Sequence, residues 1–341
     1  MRIVVLMGGE STERRVSLAS GEAVAAGLQR LGHTVYKLDP VFPDEWAAAD
    51  RPLLTGPVGE TPPEDLSQLP RPTPQRIGRL LETIASLAPD VVFPILHGGI
   101  GEDGTLQGLL EWAGIPFTGS SSITCKLAMD KAVSKRLFRV CNIPTPAWIY
   151  FSRYDNTPLA EISSEIDERI GYPCVVKPNC GGSTVGMSII NSIAELPDAI
   201  EAVRKLNDDI LIEKYIEGRE LTVAVVGDQV LPVVEICPKS GFYDYKSKYT
   251  AGNTEYLVPA PIDENVFLRA QDLGKAVWQS LMARGFGRSD FRLSPDGLLY
   301  CLELNTLPGM TNLSLVPKAA AAVGIDFDGL LAKILETVPS K

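Results

Sequence analysis

Apolar residues fall into short runs and stripes whose spacing changes about a third of the way along the chain. Residues 3–7 (IVVLM) form a continuous run of strand length, followed by the glycines of GGE. Val24, Leu28 and Leu31 recur at helical spacing until Gly32 stops the pattern, and residues 35–38 read as the next strand. Ile77, Leu80, Leu81, Ile84 and Leu87 give a second helical stripe, VVFPIL at 91–96 a third strand, and GEDGTLQGLLEWAG opens a third helix. Strands alternating with helices predict a parallel α/β sheet up to about residue 120. Residues 51–75 carry seven prolines without periodicity and read as a surface connection. After residue 120 the strands CVVKP, DILIEKYI, ELTVAVV and VLPVVEIC follow with fewer helices between them, which predicts an α+β remainder with largely antiparallel sheets.

Length and composition narrow the class. A chain of 341 residues is long enough for two or three cores and a buried cleft. With 45% apolar and 22% charged residues it has the composition of a globular protein. The net charge of -10 argues against nucleic acid or an anionic membrane as partner, so any anionic ligand must be met by locally clustered cations. The start, MRIVVLMGGE, is too short in apolar residues for a signal peptide, and no run approaches ~18 apolar residues, so a cytoplasmic protein is expected. The six cysteines lack CxxC or Cys/His spacing and read as reduced, buried thiols.

The segment GRSDFRLSPDGLLYCLELNTLPG carries the most chemistry. Asp296-Gly297 suits a tight hairpin turn, and a symmetric turn there places Asp290 opposite Glu303 and Arg288 opposite Asn305 on one face. Phe291, Leu293, Tyr300 and Leu302 would then form the core face. Two facing carboxylates repel unless a cation lies between them. Asp290, Glu303 and Asn305 are a hard oxygen set suited to Mg²⁺, and a solvated strand face neutralised by Arg288 is the competing reading.

CVVKPNCGGSTVGM is an apolar strand ending in Lys177 before a glycine- and hydroxyl-rich turn, a pattern that can cradle phosphate or simply connect two strands. MDKAVSKRL puts Lys131 at a helix start capped by Asp130. In LIEKYIEGRE, Glu213 and Glu220 could accept hydrogen bonds from a ligand or serve as edge-strand charges. GGESTERRVS and LHGGIGEDGT place glycines where strands meet helices, the usual ligand edge of a parallel sheet, and His97 lies at one of them.

Read together and in order, these segments resemble the D-alanine-D-alanine ligase family of ATP-grasp enzymes. The matching stretches are GGxSxERxVSxxSG, HGxxGEDGxxQG, MDK, KPxxxGSxxGM, IEKYIEGxE, YDYxxKY, and RxDF with ExNTxPGMTxxS. The resemblance implies an ATP-grasp fold: a Rossmann-like α/β domain at 1–120, a central ATP-grasp domain at 121–216, and a C-terminal one at 217–341 carrying a lid loop. It implies that ATP phosphates are held by Lys131, Lys177 and Lys248, and the nucleoside by Glu213, Tyr215 and Glu220. Asp290, Glu303 and Asn305 match ligands of Mg²⁺ or Mn²⁺, with two ions. Glu13 matches the acceptor of the first D-alanine's ammonium, in a trio with Ser183 and Tyr249, and His97 lines that subsite. Arg288 and the Gly309 amide match oxyanion donors, and Ser314 and Leu315 match the second D-alanine's subsite. A homodimer is also implied.

The activity so implied is ATP-dependent joining of two D-alanines, through a D-alanyl phosphate, for peptidoglycan precursors. Ligases of the same fold that use D-lactate or D-serine are the nearest alternative, and Tyr249, where D-lactate enzymes commonly have histidine, favours the dipeptide. Cys180, Gly181 and Leu313 depart from common family residues and bear on fine substrate preference. A nicotinamide-dependent dehydrogenase is disfavoured by the absence of GxGxxG after the first strand.

Overall fold

Four of the five residues of β1 (Arg2–Leu6) are buried, and alternate side chains serve two cores. In the computed structural model, which describes residues 1–54, 69–155, 157–239, 252–311 and 314–339, Ile3 and Val5 pack with Val24 and Leu28 of α1 (Arg14–Arg30). Val4 and Leu6 join Leu80 and Ile84 of α2 (Pro74–Leu87) and Leu110 of α3 (Thr105–Trp112). Burial on both faces explains why this strand reads as a continuous apolar run. β2 (Thr34–Leu38) and β4 (Val91–Pro94) flank β1 in parallel, and the short antiparallel β3 (Ala47–Ala48) completes the order β3-β2-β1-β4.

Two helices lead out of this sheet, α4 (Ser122–Met129) and α5 (Lys131–Val140). Asp130 caps α5 by accepting from Val133 N at 3.0 Å, which fixes Lys131 in its first turn. A second sheet, antiparallel throughout, has the order β5-β8-β6-β7. Its strands are β5 (Trp148–Phe151), β6 (Cys174–Pro178), β7 (Ser188–Ile190) and β8 (Ile210–Lys214). Ile162 and Ile166 of α6 (Leu159–Arg169) and Ile200 and Val203 of α7 (Leu196–Lys205) cover it.

The third sheet is also antiparallel and runs β12-β11-β9-β13-β14, with β10 paired to β9. It comprises β9 (Arg219–Val226), β10 (Gln229–Val230), β11 (Val234–Pro238), β12 (Thr254–Leu257), β13 (Phe286–Leu293) and β14 (Leu299–Asn305), backed by α8 (Glu264–Ser280). The chain then returns to the first sheet through α9 (Leu315–Ala321) and α10 (Phe327–Glu336). Val316, Ala320, Leu331 and Ile334 share a core with Ile3 and Val5, and with Ala224 and Phe286 of the third sheet. The β14-to-α9 connection is thereby held against the glycine loops of the first sheet.

The β13–β14 hairpin pairs Arg288 with Asn305 and Asp290 with Glu303, as expected, but by another route. Ser294 N donates to Leu298 O at 2.9 Å across a three-residue loop in which Gly297 takes φ +81°. Phe291 therefore faces Cys301 and Leu293 faces Leu299, one residue out of symmetric register, and a bulge after Asp290 restores it. The core face of β14 is accordingly Leu299, Cys301 and Leu304. Tyr300 and Leu302, expected there, are only half-buried. The cysteines need a similar correction: all six are free thiols, but only Cys125, Cys174 and Cys301 are buried, and Cys141 is exposed. Among the described residues no helix is long and apolar enough to cross a membrane.

Candidate active site

The loop after β1, the loop after β4, the turn after β6 and the end of β14 meet around one cavity of about 570 Å³. Glu13 precedes the first turn of α1, and its carboxylate does not cap that helix but turns toward the glycine-rich turn. Ser183 and Thr184, in the glycine-rich turn, take φ +48° and +66°, a region costly for residues with a Cβ. That conformation brings the Ser183 hydroxyl onto Glu13, to whose Oε1 it donates a short hydrogen bond. A Cβ on the preceding Gly182 would lie 3.0 Å from Glu13 Oε2, so the glycine permits the close approach. His97, Lys131, Arg288, Glu303, Asn305, Gly309, Ser314 and Leu315 line the same cavity.

Charge in the cavity is arranged in pairs. Lys131 Nζ lies 3.1 Å from Glu303 and donates to Gly181 O at 2.7 Å, tying the glycine-rich turn to β14. Burial works against this ammonium, but Glu303 outweighs it and raises the Lys131 pKa. Arg288 forms a two-pronged contact with Asp290, at 2.9 and 2.8 Å, and Thr222 Oγ1 donates to Asp290 at 2.7 Å. Burial lowers the pKa of His97 despite nearby Glu13, leaving a neutral ring whose Nε2 lies 3.4 Å from Ser20 Oγ. Ser20 Oγ also accepts from Met310 N, and Ser314 Oγ accepts from Thr311 N, so both hydroxyls brace the turn that carries Gly309.

Glu102 also lines the cavity and was not singled out by the sequence reading, although it sits in the quoted GEDG. Its Oε2 accepts from Gly98 N at 2.9 Å, but burial first, and then the Glu13 carboxylate, push it up to about 7. Glu102 therefore keeps its proton to a higher pH than an ordinary carboxyl and is about half protonated at neutral pH.

Beside the cavity, the two antiparallel sheets hold a second group. Glu213 on β8 is 3% exposed, with Lys177 Nζ at 2.5 Å and Lys135 Nζ at 2.8 Å. Burial would raise its pKa, but the two lysines together overcome that and hold it at about 2. Glu220 on β9 lies 3.6 Å from Arg292, whose guanidinium sits 5.9 Å from the centre of the Tyr215 ring. Both strands are interior to their sheets, which removes the edge-strand explanation for Glu213 and Glu220. Lys135 is the other residue missed from sequence. It follows Lys131 by one helical turn, but nothing local marks it as fully buried.

Asp290 and Glu303 face each other across β13 and β14 and Asn305 follows on the same strand, so two carboxylates and an amide oxygen present hard donors. Among the described residues no group of three His, Cys, Asp or Glu side chains could hold a metal, and this set contains only two of them. Arg288 and Lys131 now supply the counter-charge that a divalent ion would provide, which fits the donor set. Lys248, Tyr249 and Leu313 lie outside the described residues.

Comparison with known proteins adds the family. Residues 2–120 match the model for the D-ala D-ala ligase N-terminus and residues 137–336 that for its C-terminus. A D-alanine–D-alanine ligase of Gloeobacter violaceus is 40% identical, over 98% of this chain and 99% of its own. The corresponding protein of Aquifex aeolicus is 39% identical, over 98% and 100%. Among solved structures, the Bacillus anthracis D-alanine–D-alanine ligase complexed with ATP superposes with a TM-score of 0.76 at 31% identity, covering 99% of this chain and 97% of that one. The VanG D-Ala:D-Ser ligase of Enterococcus faecalis gives 0.77 at 30%, covering 98% of both.

Proposed function

The chain belongs to the D-alanine–D-alanine ligase family, and from that premise we propose that it joins two D-alanines, with ATP cleaved to ADP and phosphate, and so supplies the dipeptide for peptidoglycan precursors. The observation that carries the reading is the Glu13–Ser183 contact, which closes an ammonium-binding carboxylate against the glycine-rich turn in the cavity that holds Lys131, Arg288 and Glu303.

A carboxylate is a poor acyl donor because oxide would have to leave. Transfer of the γ-phosphoryl group of ATP to the first D-alanine gives an acyl phosphate, from which phosphate leaves when the second amine attacks. Glu13 binds the first ammonium and Ser183 orients Glu13. Neutral His97 packs beside this subsite without adding a competing cation. Lys131 and Lys177 bind phosphates, Glu213 accepts from the adenine amino group, and Glu220 and Tyr215 hold the nucleoside. Arg288 and the Gly309 N–H stabilise the tetrahedral oxyanion, each fixed donor being worth about 3–4 kcal/mol where such groups are measured. Ser314 and Leu315 form the second subsite. Asp290, Glu303 and Asn305 would hold Mg²⁺ or Mn²⁺, as two ions, and the metal's charge offsets that of the triphosphate. Lys248 and Tyr249 are assigned to the γ-phosphate and to the Glu13 trio.

A cytoplasmic homodimer, with the nucleotide held between residues 121–216 and 217–341, completes the proposal. The relatives at about 40% identity favour D-alanine as second substrate. Incubation with D-alanine alone, and with D-lactate or D-serine added, followed by mass analysis, tests this. D-alanyl-D-alanine is expected as the main product in every mixture. A depsipeptide or a D-alanyl-D-serine product in excess would replace the reading with the alternative.

A further inference from the structure

Glu213 is met by two lysines where one would neutralise it. Lys177 Nζ lies at 2.5 Å from Oε1 and Lys135 Nζ at 2.8 Å from Oε2. Burying a second ammonium is costly, and a well-packed apolar residue would serve stability at least as well. The two lysines differ in what they can do. The Lys177 side chain ends a strand beside the phosphate turn and is 10% exposed, whereas that of Lys135 is 0% exposed. Lys135 is also held from the other side, where its Nζ donates to Thr145 Oγ1 at 2.8 Å. Thr145 Oγ1 in turn donates to Cys301 O at 2.8 Å, and Cys301 N donates to Pro144 O at 2.8 Å, so the ammonium is fixed between the second and third sheets. The Trp148 ring, centred 5.8 Å from Nζ, flanks it.

We propose that Lys135 is a positioning residue for nucleotide recognition: it stays on Glu213 when Lys177 turns to the phosphates, and keeps that carboxylate charged and aimed to accept the 6-amino group of adenine. The inference rests on the reading of Glu213 given above. A carboxylate held this way is an acceptor only, so it takes the adenine amino donor and leaves a purine without that group unrewarded. With Lys177 drawn away and Lys135 absent, Glu213 would be a buried, unpaired carboxylate, which protonates or turns aside.

The test is calorimetric binding of ATP and of purine riboside triphosphate, which lacks the 6-amino group, to the full chain with Mg²⁺ and no D-alanine. Wild type should prefer ATP by about tenfold or more, a conservative figure for a site built around one hydrogen bond. Lys135→Met should cut that preference to about twofold while changing the affinity for purine riboside triphosphate little, because only the amino contact is lost. Equal weakening of both nucleotides would show a merely structural role, and an unchanged preference would show no role; either overturns the proposal. Thr145→Val, which keeps volume but removes the hydroxyl that anchors the ammonium, should shift the preference in the same direction. It decides the matter if Lys135→Met does not fold, and an unchanged preference there likewise overturns the proposal. Glu213→Met separates the two levels: if it leaves the wild-type preference intact, the adenine reading of Glu213 has failed, and Lys135 fails with it. If it abolishes the preference and Lys135→Met does not reduce it, only the inference about Lys135 has failed.

Discussion

Replacing Glu102 by Gln isolates the effect of one partly buried carboxyl on stability. Glu102 is pushed from 4.5 up to about 7 by burial first and by Glu13 second, with Glu303 adding to the rise and the Gly98 N–H and Lys131 opposing it. The folded protein therefore binds more protons than the unfolded chain between those values. The stabilising contribution is full below about pH 4.5 and is lost as the pH rises through about 7. A shift of about 2.5 units at about 1.36 kcal/mol per unit is of order 3 kcal/mol, of which about 2 kcal/mol falls between pH 5 and pH 8. Gln keeps the acceptor for Gly98 N and cannot ionise, so it removes the pH-dependent part alone. Urea unfolding followed by circular dichroism, on both proteins at pH 5 and pH 8, should show the variant gaining about 2 kcal/mol on wild type as the pH rises. Other titrating groups cancel in the difference. A constant gap at the two pH values would refute the reasoning, since Glu102 would then ionise normally and the cavity would be better solvated than its burial implies.

Ser183→Ala removes the hydroxyl that bonds Glu13 and should raise the KM for D-alanine at the first subsite about tenfold, the cost of one charge-assisted hydrogen bond. An unchanged KM would detach Ser183 from substrate binding. Asp290→Asn keeps an oxygen acceptor for Thr222 but loses the charge facing Glu303. It should raise the Mg²⁺ concentration needed for half-maximal ADP formation by about tenfold or more without altering the circular dichroism spectrum. Unchanged metal dependence would remove Asp290 from the ligand set.

How far the chain could be read from sequence depended on the range of the interaction. The two-sided strand at 2–6, the stripes of α1 and α2 and the Asp130 cap are local, and local spacing sufficed. The Asp290–Glu303 pairing was also legible, but the turn beside it was not. A three-residue loop and a bulge differ from a symmetric turn by offsetting single-residue shifts, which the site end of the hairpin does not feel. Tyr300 and Leu302 lie between those shifts and lost their expected place in the core. The Glu13–Ser183 contact spans 170 residues in sequence and was reachable only through resemblance to a family. Lys135 had no signal at all, because a lysine one turn after Lys131 looks solvated until β8 and Thr145 close over it. Glu102 stood in a quoted motif, but its perturbation arises from Glu13 and from burial, and neither is visible in the local sequence.

The measurement that bears most directly on the activity is isotope transfer from D-alanine whose carboxylate carries ¹⁸O in both positions, incubated with the enzyme, ATP and Mg²⁺. If the first D-alanine is activated as an acyl phosphate and then attacked by the second, each phosphate released should carry one ¹⁸O, in step with D-alanyl-D-alanine formed and ADP released. Phosphate free of label, or ADP formed without D-alanine, would contradict the account.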